Sequence, residues 1–119
     1  MKKFFGVFIV FLCVSSICGF AHQMQDKVHL PHLNKNERYE SVRSKLLGAG
    51  WKPYHAKDAL ECDATDVRCQ GRPEMEACSD VGQGQCTWLW TKRGQIIAID
   101  TLYGVDDDVF VGASSYRSH

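Results

Sequence analysis

The chain has no excess of either charge: 14 lysines and arginines stand against 14 aspartates and glutamates, for a formal net charge of +0. A surface without a basic bias argues against nucleic acid as a partner, because phosphate binding needs clustered Lys and Arg. Catalytic signatures are missing as well. There is no phosphate loop, no dinucleotide fingerprint, and no nucleophile elbow around Ser41, Ser44, Ser79, Ser114, Ser115 or Ser118. Asp106, Asp107 and Asp108 lack the alternation and the downstream Glu of a calcium loop, and read as a solvated turn. Glu74 and Glu76 share one short turn and read as a solvated helix start, not as paired acids. His29 and His32 have Pro31 between them, which breaks the helical spacing of a metal pair. His55 stands alone and reads as the partner of a backbone group. The expectation is a protein that is not an enzyme and needs no metal or cofactor.

What is present begins at the N-terminus. Lys2 and Lys3 precede the apolar run "FFGVFIVFLCVSSICGF" and then Ala21, the pattern of a signal peptide over residues 1–21 with cleavage before His22. An uncleaved anchor fits less well, because the run is at the short end of the ~20 apolar residues that span a bilayer and contains Ser15 and Ser16. Lipidation at Cys18 would place Ile17 where a lipobox wants a small residue. Cleavage removes Lys2 and Lys3, leaving 12 basic against 14 acidic residues, a balance of −2. The mature chain is then a single small domain that buries only ~60–65% of its unfolded surface. Periplasmic or secreted localisation follows from the leader, with no stable membrane insertion once it is removed.

Cysteine compensates for the small core. Cys13 and Cys18 leave with the leader; Cys62, Cys69, Cys78 and Cys86 remain. Four cysteines in a short exported chain form a disulfide framework with three possible pairings. Local spacing favours Cys62–Cys69 and Cys78–Cys86, since both close short loops and "SDVGQGQ" bends easily at its glycines. A knotted alternative joining Cys62 to Cys86 stays open. The intervals of six, eight and seven residues contain no C-x₂₋₄-C pair, so the spacing is wrong for zinc. With every mature cysteine bridged, no thiol nucleophile remains.

Residues 22–33 read as an extended N-terminal arm before a domain over 34–119. Asn34 with Glu37 makes a capping box, and Tyr39, Val42, Leu46 and Leu47 form an apolar stripe, so a helix is expected there, stopped at Gly48 or Gly50. A strand over Trp51–His55 follows, at an edge because Pro53 cannot donate to a ladder. A long irregular stretch runs from about Ala56 to Gln85, with a short helix starting at Pro73. "CTWLWTK" and "QIIAIDTLY" flank the glycine turn "KRGQ", the clearest hairpin, and "VFVGASSY" supplies a last strand. The expected fold is α+β: one amphipathic helix packed on a small antiparallel sheet of three to four strands, stapled by two disulfides. Trp51, Trp88 and Trp90 serve either as its core or as a stacking platform for sugars.

The stretches "LLGAGWKP" and "RPEMEACSDVGQGQCTWLW" carry a resemblance. They resemble small exported bacterial proteins with a Gly-Trp after an N-terminal helix and a Pro-Glu, then a Cys-x-Gly-Thr-Gly-x-Gly-x-Cys-like loop before an aromatic strand. Pro73, Glu74, Cys78, Gly82, Gly84 and Cys86 match; Asp80 and Val81 replace the first Gly-Thr. The resemblance implies a bacterial exported domain and supports the Cys78–Cys86 pairing, and it brings no activity with it. Within the loop, Asp80, Gln83 and Gln85 are the candidate contact residues, held on a stapled surface that loses little entropy on binding. The functional expectation is an exported non-enzymatic binding protein of the bacterial cell envelope. An inhibitor or immunity protein against an envelope-acting toxin would have a protein partner in the periplasm. The alternative is a structural or stress-related envelope protein that binds cell-wall material.

Overall fold

The computed structural model describes residues 28–79 and 81–117. The expected signal peptide, the first part of the N-terminal arm and Asp80 lie outside them. The described elements are a helix α1 (Tyr39–Gly48) and strands β1 (Lys52–Pro53), β2 (Met75–Cys78), β3 (Cys86–Lys92), β4 (Gln95–Leu102) and β5 (Val109–Ser115). The strands form one antiparallel sheet in the order β1-β3-β4-β5, and β2 also pairs with β3. β2 lies against Cys86–Trp88 and β1 against Trp90–Thr91. Both occupy one edge of β3, because Leu89 donates its N–H to Glu74 and accepts from Tyr54 there.

The fifth strand corrects the expectation of three to four, and it comes from the segment read as a helix start. After Pro73 only a single turn closes, Met75 N–H to the Arg72 carbonyl. The chain then extends, because pairing with β3 satisfies its backbone and sets Cys78 directly opposite Cys86. Glu74, read as solvated, is instead fully buried.

The helix also starts later than its sequence suggests. The Asn34 N–H does bond Glu37 Oε2 at 3.0 Å, half of a capping box. That bond closes a separate turn in which Asn36 has φ 64°. Residues 36–38 are held against β5, with Asn36 N–H to the Phe110 carbonyl and Phe110 N–H to the Glu37 carbonyl, both 2.8 Å, and Arg38 is extended. Helix geometry begins only at Tyr39. Its first free amides are satisfied across the fold: Tyr39 N–H by the Asp108 carbonyl at 2.7 Å, and Glu40 N–H by Asp107 Oδ2 at 2.8 Å. At the other end Gly50, with φ 85°, makes the left-handed stop. Gly50 N–H reaches the Leu47 carbonyl and Trp51 N–H the Leu46 carbonyl, the double closure that places Trp51 back against the helix.

Tyr39, Val42 and Leu46 are fully buried, but Leu47 is 45% exposed and leaves the stripe. Two residues do not share a helical face when they are adjacent in sequence. Against this face lie Cys86, Trp88 and Trp90 of β3, with Ile97, Ile99, Phe110 and Trp51. Tyr39 stacks on Trp88 with ring centroids 4.1 Å apart. All three tryptophans are at most 1% exposed, so they form the core and no sugar platform. Each such side chain contributes roughly 2–3 kcal/mol by its burial. Leu89 points to the opposite face, where Ala98 and the Tyr54–Ala59 segment cover it. The hairpin turn has Arg93 at φ 49° and Gly94 at φ 77°, the primed turn that suits twisted strands.

Candidate binding cleft

Both locally spaced bridges form: Cys62–Cys69 and Cys78–Cys86. They shape two loops at the end of the sheet where β3 begins and β4 ends. A third loop, Tyr103–Asp108, joins β4 to β5 at the same end.

The Cys78–Cys86 loop is closed at its base by Ser79 N–H to the Gln85 carbonyl at 2.7 Å. Gly82 and Gly84 take φ 68° and 62°, which side chains rarely adopt. Gly84 has a second reason to be glycine: a Cβ there would stand 3.1 Å from the Cβ of Tyr103. Tyr103 N–H donates to the Gln83 carbonyl at 2.9 Å, so the two loops are joined by both packing and backbone. In the Tyr103–Asp108 loop, Gly104 leaves room for the Asp107 carbonyl.

Two depressions result. One, of ≈ 440 Å³, is lined by Arg38, Val67, Arg72, Val105 and Asp106–Asp108 among others. The second, of ≈ 460 Å³, is lined by Ser79, Gly82, Gln83, Gly84 and Leu102 among others. Arg68 and Tyr103 line both, so the two depressions adjoin at these side chains and together make up the cleft. Its rim is apolar and open: Val105 is 97%, Val67 81% and Tyr103 70% exposed, with Val81, at 79%, on the adjoining loop. These four are the most exposed large hydrophobic residues among the described ones.

Arg72 braces the cleft from beneath. Its guanidinium reaches Glu40 Oε2 at 2.8 Å, Asp107 Oδ1 at 3.4 Å and the Arg68 carbonyl at 3.4 Å. It also lies 5.0 Å from the Tyr39 ring centroid and 5.7 Å from that of Trp88. Burial works against its charge, but Glu40 and Asp107 outweigh that and hold its pKa above the ordinary arginine value. Arg68 forms a close pair with Asp66 at 2.7 Å, which keeps that carboxyl below the usual range against the opposing effect of burial.

The aspartate run departs from the expected solvated turn. Asp106 is exposed, while Asp108 is 5% exposed and the Asp107 side chain 12%. Asp108 Oδ2 accepts from Thr101 Oγ1 at 3.1 Å, and Thr101 in turn accepts from Trp88 Nε1 at 2.8 Å. Burial raises the Asp108 pKa, with the Thr101 bond and the Arg68 charge working against it. The carbonyl of the same residue seats the helix, so the loop is built into the core.

A second polar group lies deeper. Glu74 Oε1 accepts from Tyr39 Oη at 2.9 Å and from Arg43 Nε at 2.7 Å; Trp90 Nε1 donates to Tyr39 Oη at 3.2 Å. Burial and the Glu74 charge push the Tyr39 phenol well above its ordinary pKa. Glu74 Oε2 and Trp51 Nε1 are buried with no partner among the described residues. This group holds α1 to β2 and does not open to the cleft.

Of the expected contact residues, Gln83 lines the cleft and Gln85 is exposed at the loop base without lining it. Sequence reasoning missed Arg68, Arg72 and Tyr103. Tyr103 ended a strand motif, and nothing in the spacing of Arg68 or Arg72 connects them to residues thirty or more positions away. His55 Nδ1 lies 2.9 Å from the Pro73 carbonyl and His32 Nε2 2.9 Å from Asn34 Oδ1. Among the described residues no group of three or more His, Cys, Asp or Glu is placed to hold a metal ion. Among them, too, no helix is long and apolar enough to cross a membrane. No protein-family model, no curated protein and no solved structure matches the chain.

Proposed function

We propose that the chain is an exported, non-enzymatic binding protein of the bacterial cell envelope, which engages a protein partner through this cleft as an inhibitor or immunity protein would. The observation that carries the reading is the convergence of three loops, two of them closed by disulfides, on two adjoining depressions bordered by exposed apolar side chains. Stapled loops lose little entropy on association, and exposed Tyr and Val beside a concavity offer the apolar contact that interfaces use. Two bridges in a small domain suit an oxidising compartment, where an exported protein folds. Two charged groups of the cleft are taken up by internal pairing: Arg72 by Glu40 and Asp107, and Asp108 by Thr101. The alternative role, holding cell-wall sugars on tryptophan, has lost its platform because the three indoles are buried.

Capture from periplasmic extract tests the proposal, with the wild type compared against Tyr103→Ala and against the pair Asp80→Ala/Gln83→Ala. A partner held by the wild type and released by Tyr103→Ala, at matched melting temperature, supports it. A partner held equally by all three refutes the cleft as the contact surface. If the captured partner is a hydrolase, added protein should inhibit it.

A further inference from the structure

The two bridges differ in how they meet solvent. Cys86 is fully buried on β3, and its partner Cys78 lies opposite it within the β2–β3 ladder. Cys62 is exposed, and Cys69 is 4% exposed. The segment between Cys62 and Cys69 has turns but neither helix nor strand, and it carries Val67 and Arg68, which form one wall of the cleft. Firm anchors lie just outside it. Upstream, Leu60 N–H bonds the Glu76 carbonyl at 2.9 Å; downstream, Arg72 is bound to Glu40 and Asp107.

We propose that Cys62–Cys69 is a reducible latch on the cleft wall, opened by a dithiol reductant, while Cys78–Cys86 is a permanent structural bridge. A thiolate of the dithiol attacks the exposed Cys62 Sγ. The S–S bond breaks, Cys69 leaves as a thiolate, and a mixed disulfide forms on Cys62. The second thiol of the reductant then attacks its own sulfur of that mixed disulfide and releases Cys62. Two electrons pass from the dithiol to the bridge; the reductant becomes a disulfide and its two protons end on Cys62 and Cys69. The groups around the bridge suit the exchange. Gln70 Nε2 lies 3.8 Å from Cys62 Sγ, where its N–H faces that sulfur as Cys62 leaves as a thiolate in the second step. The Asp66 carbonyl lies 3.3 Å from Cys69 Sγ and receives the new S–H.

Opening removes the covalent closure of the wall between the two anchors and leaves the sheet, the helix and the other loops in place. The cleft then loses the covalent restraint on Val67, while Arg68 keeps its pair with Asp66 and its carbonyl bond from Arg72. Selective opening is a property of the fold alone; its effect on a partner rests on the binding role of the cleft.

Stepwise dithiothreitol titration of the folded protein, with alkylation and peptide mapping at each step, tests the latch. Cys62 and Cys69 should be labelled at a reductant concentration at least about tenfold below that needed for Cys78 and Cys86. In parallel, amide resonances of Val67, Arg68 and Asp106–Asp108 should shift on reduction while those of β3 and β4 hold. The variant Cys62→Ala/Cys69→Ala should reproduce the reduced spectrum; should it fail to fold, the labelling order in the wild type still decides. Simultaneous opening of both bridges, earlier opening of Cys78–Cys86, or an unmoved cleft after reduction would each overturn the proposal. If the latch opens as expected but a captured partner binds equally before and after, the cleft reading fails and the latch stands.

Discussion

Replacing Glu74 with alanine should destabilise the protein more than any single change at the cleft. Glu74 is fully buried and its Oε1 takes two donors, Tyr39 Oη at 2.9 Å and Arg43 Nε at 2.7 Å. Removing one partner of a buried ion pair costs about 3–5 kcal/mol. Here the remaining cation has an outlet: the Arg43 side chain is 20% exposed and its Nη2 also bonds the Gly71 carbonyl at 3.3 Å. Tyr39 has none, since it is fully buried; its oxygen still accepts from Trp90 Nε1, but its O–H is left without an acceptor, and an unsatisfied buried donor costs about 1–3 kcal/mol. The expected loss is therefore near the lower end of the pair range, about 3 kcal/mol. In a domain of this size that lowers Tm by about 12–24 °C. Glu74→Gln keeps an acceptor for both donors and loses only the charge, so its cost should be roughly half. Urea melts of Glu74→Ala, Tyr39→Phe and the double variant complete a cycle, in which the pair should couple by about 1 kcal/mol or more. A loss below about 1 kcal/mol for Glu74→Ala, or additive effects in the cycle, would refute the claim that this carboxylate joins α1 to β2.

Three further outcomes follow from the geometry. Replacing Cys78 and Cys86 together with serine should cost roughly 2–3 kcal/mol for a loop of this length, read as a lowered urea midpoint; an unchanged midpoint would show that the β2–β3 ladder holds without its bridge. Gly84→Ala should cost about 1–2 kcal/mol, because φ is 62° and the new Cβ meets Tyr103, whereas Gln83→Ala should change stability by no more than ~0.5 kcal/mol. Equal melts for the two would contradict the packing of Tyr103 on Gly84. Burial opposes ionisation of Glu37, but Lys45, the Asn34 amide and the Ser41 hydroxyl lower its pKa from 4.5 to about 2. A depressed carboxyl contributes its stability above the unfolded value and loses it as pH falls from about 5 toward 2. Glu37→Gln should accordingly flatten the acid limb of the stability curve, and a curve parallel to the wild type would refute the assignment.

Much of the fold was legible in the chain because it depends on local spacing. Tyr39, Val42 and Leu46 announced a one-faced helix, Gly48 or Gly50 its stop, of which the fold uses Gly50, and "KRGQ" between two alternating runs its hairpin. The pairing of Cys62 with Cys69 and of Cys78 with Cys86 followed from short separations. Gln83 was legible as a surface residue, because polar side chains between glycines have nothing to bury.

What the chain by itself determined, then, is the set of short-range decisions: periodicity, turns, loop closure and which residues are too polar or too apolar for their neighbourhood. Tertiary structure decided the rest. Pairing with β3 made Met75–Cys78 a strand where Pro73 and two glutamates suggested a helix. Pairing of residues 36–38 with β5 delayed the helix to Tyr39, and Asp107 capped it from 67 positions away. Burial turned Glu74 and Asp108 from solvent groups into core partners: donors from the distant helix met Glu74, and Thr101 of the preceding strand met Asp108. The cleft itself belongs to this second class. Val67, Gln83, Tyr103 and Asp107 come from three loops, and only closure of the sheet brings them to one end; no spacing in a single segment can record a meeting between segments.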